Sequence, residues 1–171
     1  MIITKKIIVT DTNIITDLNT AGILDKFVSL DNVYISDMVK NDEIKTSTGN
    51  VKVISKFKTL SFSSEQLLEM LELAQNNKKL SECDLINFIL ARDNDGLLAT
   101  GDRRLVMFSE ERNVEIIRTL KIIELMYKEK VINAKEAIKA CTLLSEDKST
   151  RIPKDDIEKM IKNLENDEVV C

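Results

Sequence analysis

Four acidic positions, each at the end of an apolar stretch, are the residues in this 171-residue chain whose types and spacing could do chemistry. Asp11 follows Ile7, Ile8 and Val9. Asp42 and Glu43 sit between Val39 and Ile44, Asp84 closes Ser81-x-x-Asp84, and Asp102 follows Leu97-Leu98-Ala99-Thr100-Gly101. The chain contains no histidine, so any hydrolysis it performs must run on carboxylates and a hard cation. Mg²⁺ or Mn²⁺ fits that role, because these ions prefer oxygen ligands, keep several waters and acidify one of them.

Each acid also has a plain structural reading. Asp11 could cap the helix that follows it. Ser81-x-x-Asp84 satisfies a capping-box pattern without any metal. Gly101-Asp102 is an ordinary turn signal after a strand. Adjacent helical residues diverge by about 100°, so only one of Asp42 and Glu43 is expected to enter a site. Spacing from Ser36 favours Asp42, and the following Ile44 favours Glu43.

The elements that must position these acids read as alternating strands and helices. Ile7 to Val9, Asn32 to Ile35, Thr59 to Phe62, Leu97 to Thr100 and Val114 to Ile117 are strand candidates, short and apolar as in a sheet buried on both faces. Ile14 to Leu18 and Ile23 to Val28 form two short helical patterns. Ser36 or Asp37 can cap the helix bearing Asp42 and Glu43, and Val51 to Phe62 contains β-prone pieces. Ser63-Ser-Glu-Gln66 opens another helix as a capping box, and Ser81 opens the one bearing Asp84. Three further helices follow from Leu120, from Ala134 and after Pro153. Such alternation predicts a mostly parallel sheet, and in open α/β sheets ligands gather at the carboxyl ends of strands, where Asp11 and Asp102 fall.

Composition agrees with one soluble α/β domain: 43% hydrophobic, 32% charged, one Pro and four Gly. A net charge of −4 excludes a globally basic nucleic-acid wrapper and leaves room for a local basic rim. Cys83, Cys141 and Cys171 are odd in number and widely spaced, which favours reduced cytosolic thiols over zinc or disulfides. Without a histidine to activate it, Cys83 reads as packing. No P-loop and no G-x-G-x-x-G is present. No apolar run approaches the length of a membrane span, so the chain is expected to be cytoplasmic, with no membrane partner.

Taken together, Ile8-Val9-Thr10-Asp11-Thr12-Asn13, the acidic helix at Asp42-Glu43, Ser81-x-x-Asp84 with Ile89-Leu90-Ala91, and Leu97-Leu98-Ala99-Thr100-Gly101-Asp102-Arg103-Arg104-Leu105 resemble the PIN domain family. The resemblance spans Ile7 to about Ile117. It implies an α/β fold, a three-layer α/β/α sandwich around a mostly parallel central sheet. It also implies a nuclease core over residues 1–118, with a C-terminal helical extension over 119–171 packed on it as part of one domain.

By the same resemblance Asp11, Asp84, Asp102 and one of Asp42 or Glu43 are catalytic metal ligands for Mg²⁺ or Mn²⁺, and Asn13 and Thr100 order them. The activity implied is metal-dependent endoribonuclease cleavage of single-stranded RNA, in a protein that is often a homodimer and often the toxin partner of an antitoxin protein. Arg103 and Arg104, with Lys5, Lys6, Lys78 and Lys79, are candidates for contacts to the RNA backbone. Two rival readings stand beside this one. In the first, the fold serves as a catalytically weak binding module or scaffold for RNA or a protein. In the second, the protein is a phosphatase of the haloacid-dehalogenase type, which needs a second Asp where Asn13 stands.

Overall fold

The structure is a computed structural model that describes the backbone over residues 1–46 and 51–170 and side chains over 1–41 and 53–167. Five strands, β1 (Ile8–Thr10), β2 (Val33–Ser36), β3 (Lys58–Leu60), β4 (Leu97–Ala99) and β5 (Glu115–Ile117), form one sheet in the order β3-β2-β1-β4-β5. Every pairing is parallel, with Ile8 beside Val33 and Leu97, and Thr10 beside Ala99. All carboxyl ends therefore lie along one edge.

The central strand β1 is completely buried. Successive side chains leave opposite faces of a strand, and two cores result. Ile8, Val33, Ile35, Ala99 and Ile117 pack on one side with apolar residues of α1 (Thr12–Thr20), α2 (Leu24–Val28) and α4 (Val51–Ile54). The same core takes Ile122 of α8 (Thr119–Lys128), Ala137 of α9 (Ala134–Glu146) and Ile157 of α10 (Lys154–Val170). Val9 and Leu98 face the other side, against α5 (Ser64–Asn76), α6 (Glu82–Asp93) and α7 (Arg103–Glu110). With α3 (Asp37–Thr46) following β2, the result is a parallel sheet between two helical layers.

Helix starts follow their local chemistry. Ser63, Ser81 and Asn133 each form a complete capping box, and the Ser36 hydroxyl accepts the Val39 N–H at 3.2 Å to open α3. Seven consecutive residues of α6, Leu85 to Ala91, are buried, so the helix bearing Asp84 is wedged in the core and fixes its own first turn. Phe88 of α6 meets Phe108 of α7 edge to face, with centroids 4.9 Å apart.

Two elements differ from the expectation. Val51–Ile54 is a helical turn, although its β-branched residues suggest strand, and Ile54 is fully buried beneath the first core. Arg103–Glu110 forms α7, which the turn reading of Gly101-Asp102 and its arginines had hidden. Among the described residues no helix is long and apolar enough to cross a membrane.

Candidate active site

Asp11 leaves β1 and becomes the N-cap of α1, its Oδ1 accepting the Thr12 N–H at 2.7 Å. The other oxygen, Oδ2, accepts the Asn13 amide at 3.0 Å and the Thr100 hydroxyl at 2.9 Å. Only 4% of Asp11 is exposed. Burial first, and then the nearby Asp84 carboxylate, push its pKa up to about 6 against the lowering effect of those three hydrogen bonds. A capping role alone explains neither the depth of this carboxylate nor its acidic neighbour.

Thr100 connects two of the acids. Its hydroxyl donates to Asp11 and accepts the Asp102 N–H at 3.1 Å. Asp102 caps α7, its Oδ1 accepting from the N–H groups of Arg104 and Leu105 at 2.8 and 3.1 Å, while Oδ2 faces the guanidinium of Arg151 at 3.9 Å. In Asp84, Oδ2 takes the Ser81 N–H at 2.7 Å, and the carboxylate is half-buried. Asp11, Asp84, Asp102, Asn13 and Thr100 are thus gathered at the carboxyl edge of β1 and β4. Asp42 and Glu43 fall in α3, but their side chains lie outside the described residues.

The donors assembled here are all oxygen, and the Asp84 charge that raises the Asp11 pKa is one a divalent cation would offset; both features suit Mg²⁺ or Mn²⁺. Asp11, Asp84 and Asp102 are the described acids that could hold such an ion. Among the described residues no group of three or more His, Cys, Asp or Glu already stands at metal-holding separation.

The basic candidates divide. Arg103 and Arg104 are exposed on the first turn of α7, and Arg104 lines a groove of about 710 Å³ with Lys78 and Lys79. Lys5 and Lys6 precede β1, at the opposite edge of the sheet, where Lys6 pairs with Glu115 at 2.7 Å and Asp95 at 3.0 Å. Sequence reasoning missed Arg151 and Arg118. Both line a cavity of about 360 Å³ beside the acids, whose wall includes Asn13 and Gly101. No local motif marks these two: Arg118 follows β5, whose pairing with β4 sets it beside Gly101, and the α9–α10 connection brings Arg151 to Asp102.

A fully parallel sheet with a buried carboxylate, Asp11, beside the half-buried Asp84 at its carboxyl edge defines an α/β protein with an acidic site. The chain belongs to the PIN domain family: the family model DUF3368, described as a PIN domain, matches residues 7–166. PIN domains are generally nucleases that use divalent metal ions. Among solved structures, the crystal structure of PAE2754 from Pyrobaculum aerophilum is similar in fold, at 20% identity and a TM-score of 0.50, covering 70% of this chain and 96% of that one. No curated protein matches.

Proposed function

We propose that this protein is an endoribonuclease that cleaves single-stranded RNA with Mg²⁺ or Mn²⁺. The observation that carries the reading is Asp11: a buried carboxylate with its pKa pushed up to about 6 beside a second acid, and with Asn13 and Thr100 fixing its orientation. Perturbed carboxylates of this kind concentrate at functional sites. Asp84, Asp102 and either Asp42 or Glu43 complete the proposed ligand set.

When bound, the metal would supply Lewis-acid charge and an acidified water. The chain's own part is orientation. Asn13 and Thr100 hold Oδ2 of Asp11 in one direction, the capping bonds of Asp84 and Asp102 each engage one oxygen, and Arg103 and Arg104 sit where they can meet backbone phosphates. Cleavage of single-stranded RNA with Mn²⁺, with EDTA, and by Asp11→Asn and Asp102→Asn variants tests the reading.

A toxin role, with an antitoxin partner and a homodimeric state, extends the same proposal. Leu67, Leu68 and Leu71 support an association surface, since these three α5 leucines are 37%, 62% and 43% exposed. The division into a core over 1–118 and an extension over 119–171 is supported by the run of three helices, α8 to α10, that follows the last strand. A non-catalytic RNA-binding module is the second reading. It is favoured by the Arg151 guanidinium facing Asp102 and by the lack, among the described residues, of three acids at metal-holding separation.

A further inference from the structure

The cavity of about 360 Å³ between the carboxyl edge of the sheet and the α9–α10 connection has a chemistry of its own. It shares Asn13 and Gly101 with the acidic site, so whatever occupies it lies directly beside Asp11 and Asp102. Its volume is at the low end of the roughly 300–1,000 Å³ of small-ligand pockets. Leu120, Ile152 and Pro153 give it an apolar wall.

Three details describe the occupant. A methyl group added at Gly101 would meet nothing within 4 Å, so the space beside Asp102 is open. The Arg151 side chain is 80% exposed and 3.9 Å from Asp102, a separation too long for a hydrogen bond. Its fork of donors is therefore free for a phosphate, and Arg118 lines the same cavity.

The third detail is Asp17. It is half-buried, its Oδ2 accepts the Thr119 hydroxyl at 2.5 Å, and among the described residues its Oδ1 accepts no side-chain or backbone hydrogen bond. Of the other two carboxylates on the wall, Asp147 accepts from the Ser149 N–H and hydroxyl, and Asp156 is exposed, 4.0 Å from Lys159. A ligand matching this lining has a flat apolar body, an N–H donor at its edge and an anionic flank. An RNA nucleotide has all three, and every RNA base carries at least one such N–H.

We infer that this cavity seats one base of a single-stranded RNA next to the phosphate at the acidic site, flat against Leu120, Ile152 and Pro153. Asp17 accepts from the base edge, while Arg151 and Arg118 bind the flanking phosphates. The inference rests on the ribonuclease reading and names where that substrate lies. It also gives the C-terminal extension a task, since Arg151, Ile152 and Pro153 form the connection between α9 and α10.

The test is binding of a fluorescein-labelled single-stranded RNA by the full chain, read by anisotropy, with Ca²⁺ in place of Mg²⁺ or Mn²⁺ to limit turnover. The comparison is the same oligonucleotide with its bases removed and the ribose–phosphate chain intact. The wild type is expected to favour the base-bearing strand by roughly fivefold or more, the scale of burying one base face on an aliphatic wall.

Gly101→Leu, projecting into the open space, and Thr16→Leu, from the exposed face of α1, are each expected to bring that ratio towards one. Arg151→Ala is expected to weaken both strands alike. Equal wild-type affinity for the two strands, or no binding of either, overturns the inference, as does an unchanged ratio in both filling variants. RNA cleavage measured separately with Mn²⁺ keeps the two ideas apart. Cleavage without base-dependent binding defeats only the cavity, and base-dependent binding without cleavage defeats only the nuclease.

Discussion

Asp11 carries a stability cost that follows from its burial. Its folded pKa, about 6, lies above the ordinary 3.8, so between those values the folded state binds more protons than the unfolded one. Stability from this group is complete below pH about 4 and is lost as pH rises through 6. The difference of about two units corresponds to about 3 kcal/mol in the metal-free protein.

Asp11→Asn removes the buried charge, but its single oxygen cannot serve both the Thr12 N–H on one side and the Asn13 and Thr100 donors on the other, so the net gain should be smaller. The variant is expected to be about 1 kcal/mol more stable than wild type at pH 7.5 without metal, and to show a flatter stability profile between pH 4 and 6. Urea unfolding across that range checks it, and a variant less stable than wild type at pH 7.5 would contradict it.

Asp11, Asn13 and Thr100 were legible because their types and positions at strand ends are local facts. Arg151 was not, because its approach to Asp102 depends on how helices far along the chain pack. The pairing of Asp11 with Asp84 was suggested by the motif, but only the fold brings their charges together.

At the scale of elements, β4 reaches its place beside β1 through a tight approach at Gly96. A methyl group there would come within 2.8 Å of Ile7 Cγ1 and 3.1 Å of the Ile7 carbonyl oxygen. Gly96→Ala should therefore push β4 from β1 and destabilise the fold by about 1–3 kcal/mol. Because β4 leads into Thr100 and Asp102, metal affinity should fall as well. Thermal unfolding and calorimetric Mn²⁺ titration measure the two effects, and an unchanged melting temperature would show that the contact relaxes freely.

Helices opened by a serine capping box, α5 and α6, could be read directly from sequence. In α4, Val51, Val53 and Ile54 have strand-forming shapes, and burial of Ile54 against the sheet overrides that preference. Helix α7 was obscured because its two arginines look like solvated surface, while Leu105, Val106 and Phe108 on its other side are buried.

The whole molecule joins a five-stranded parallel sheet to three closing helices whose apolar residues enter the same core as β1. Alternation of short apolar runs with capped helices predicted the sheet; strand order came only from the fold. On the outside, the α5 leucines leave a surface suited to association. Leu68→Glu should shift a dimer to monomer in light scattering while leaving the melting temperature within a few degrees. A wild type that is monomeric at all concentrations would remove the dimer from the account.

The central claim is that gathered carboxylates cleave RNA through a divalent metal. Its most direct measurement is the cleavage rate of a labelled single-stranded RNA by the full chain with Mn²⁺. The account predicts cleavage that EDTA abolishes and that Asp11→Asn and Asp102→Asn each lower by at least about a hundredfold, the scale of a lost electrostatic contribution in a catalytic site. A folded wild type inert with Mn²⁺, or cleavage that survives both EDTA and the two substitutions, would contradict it.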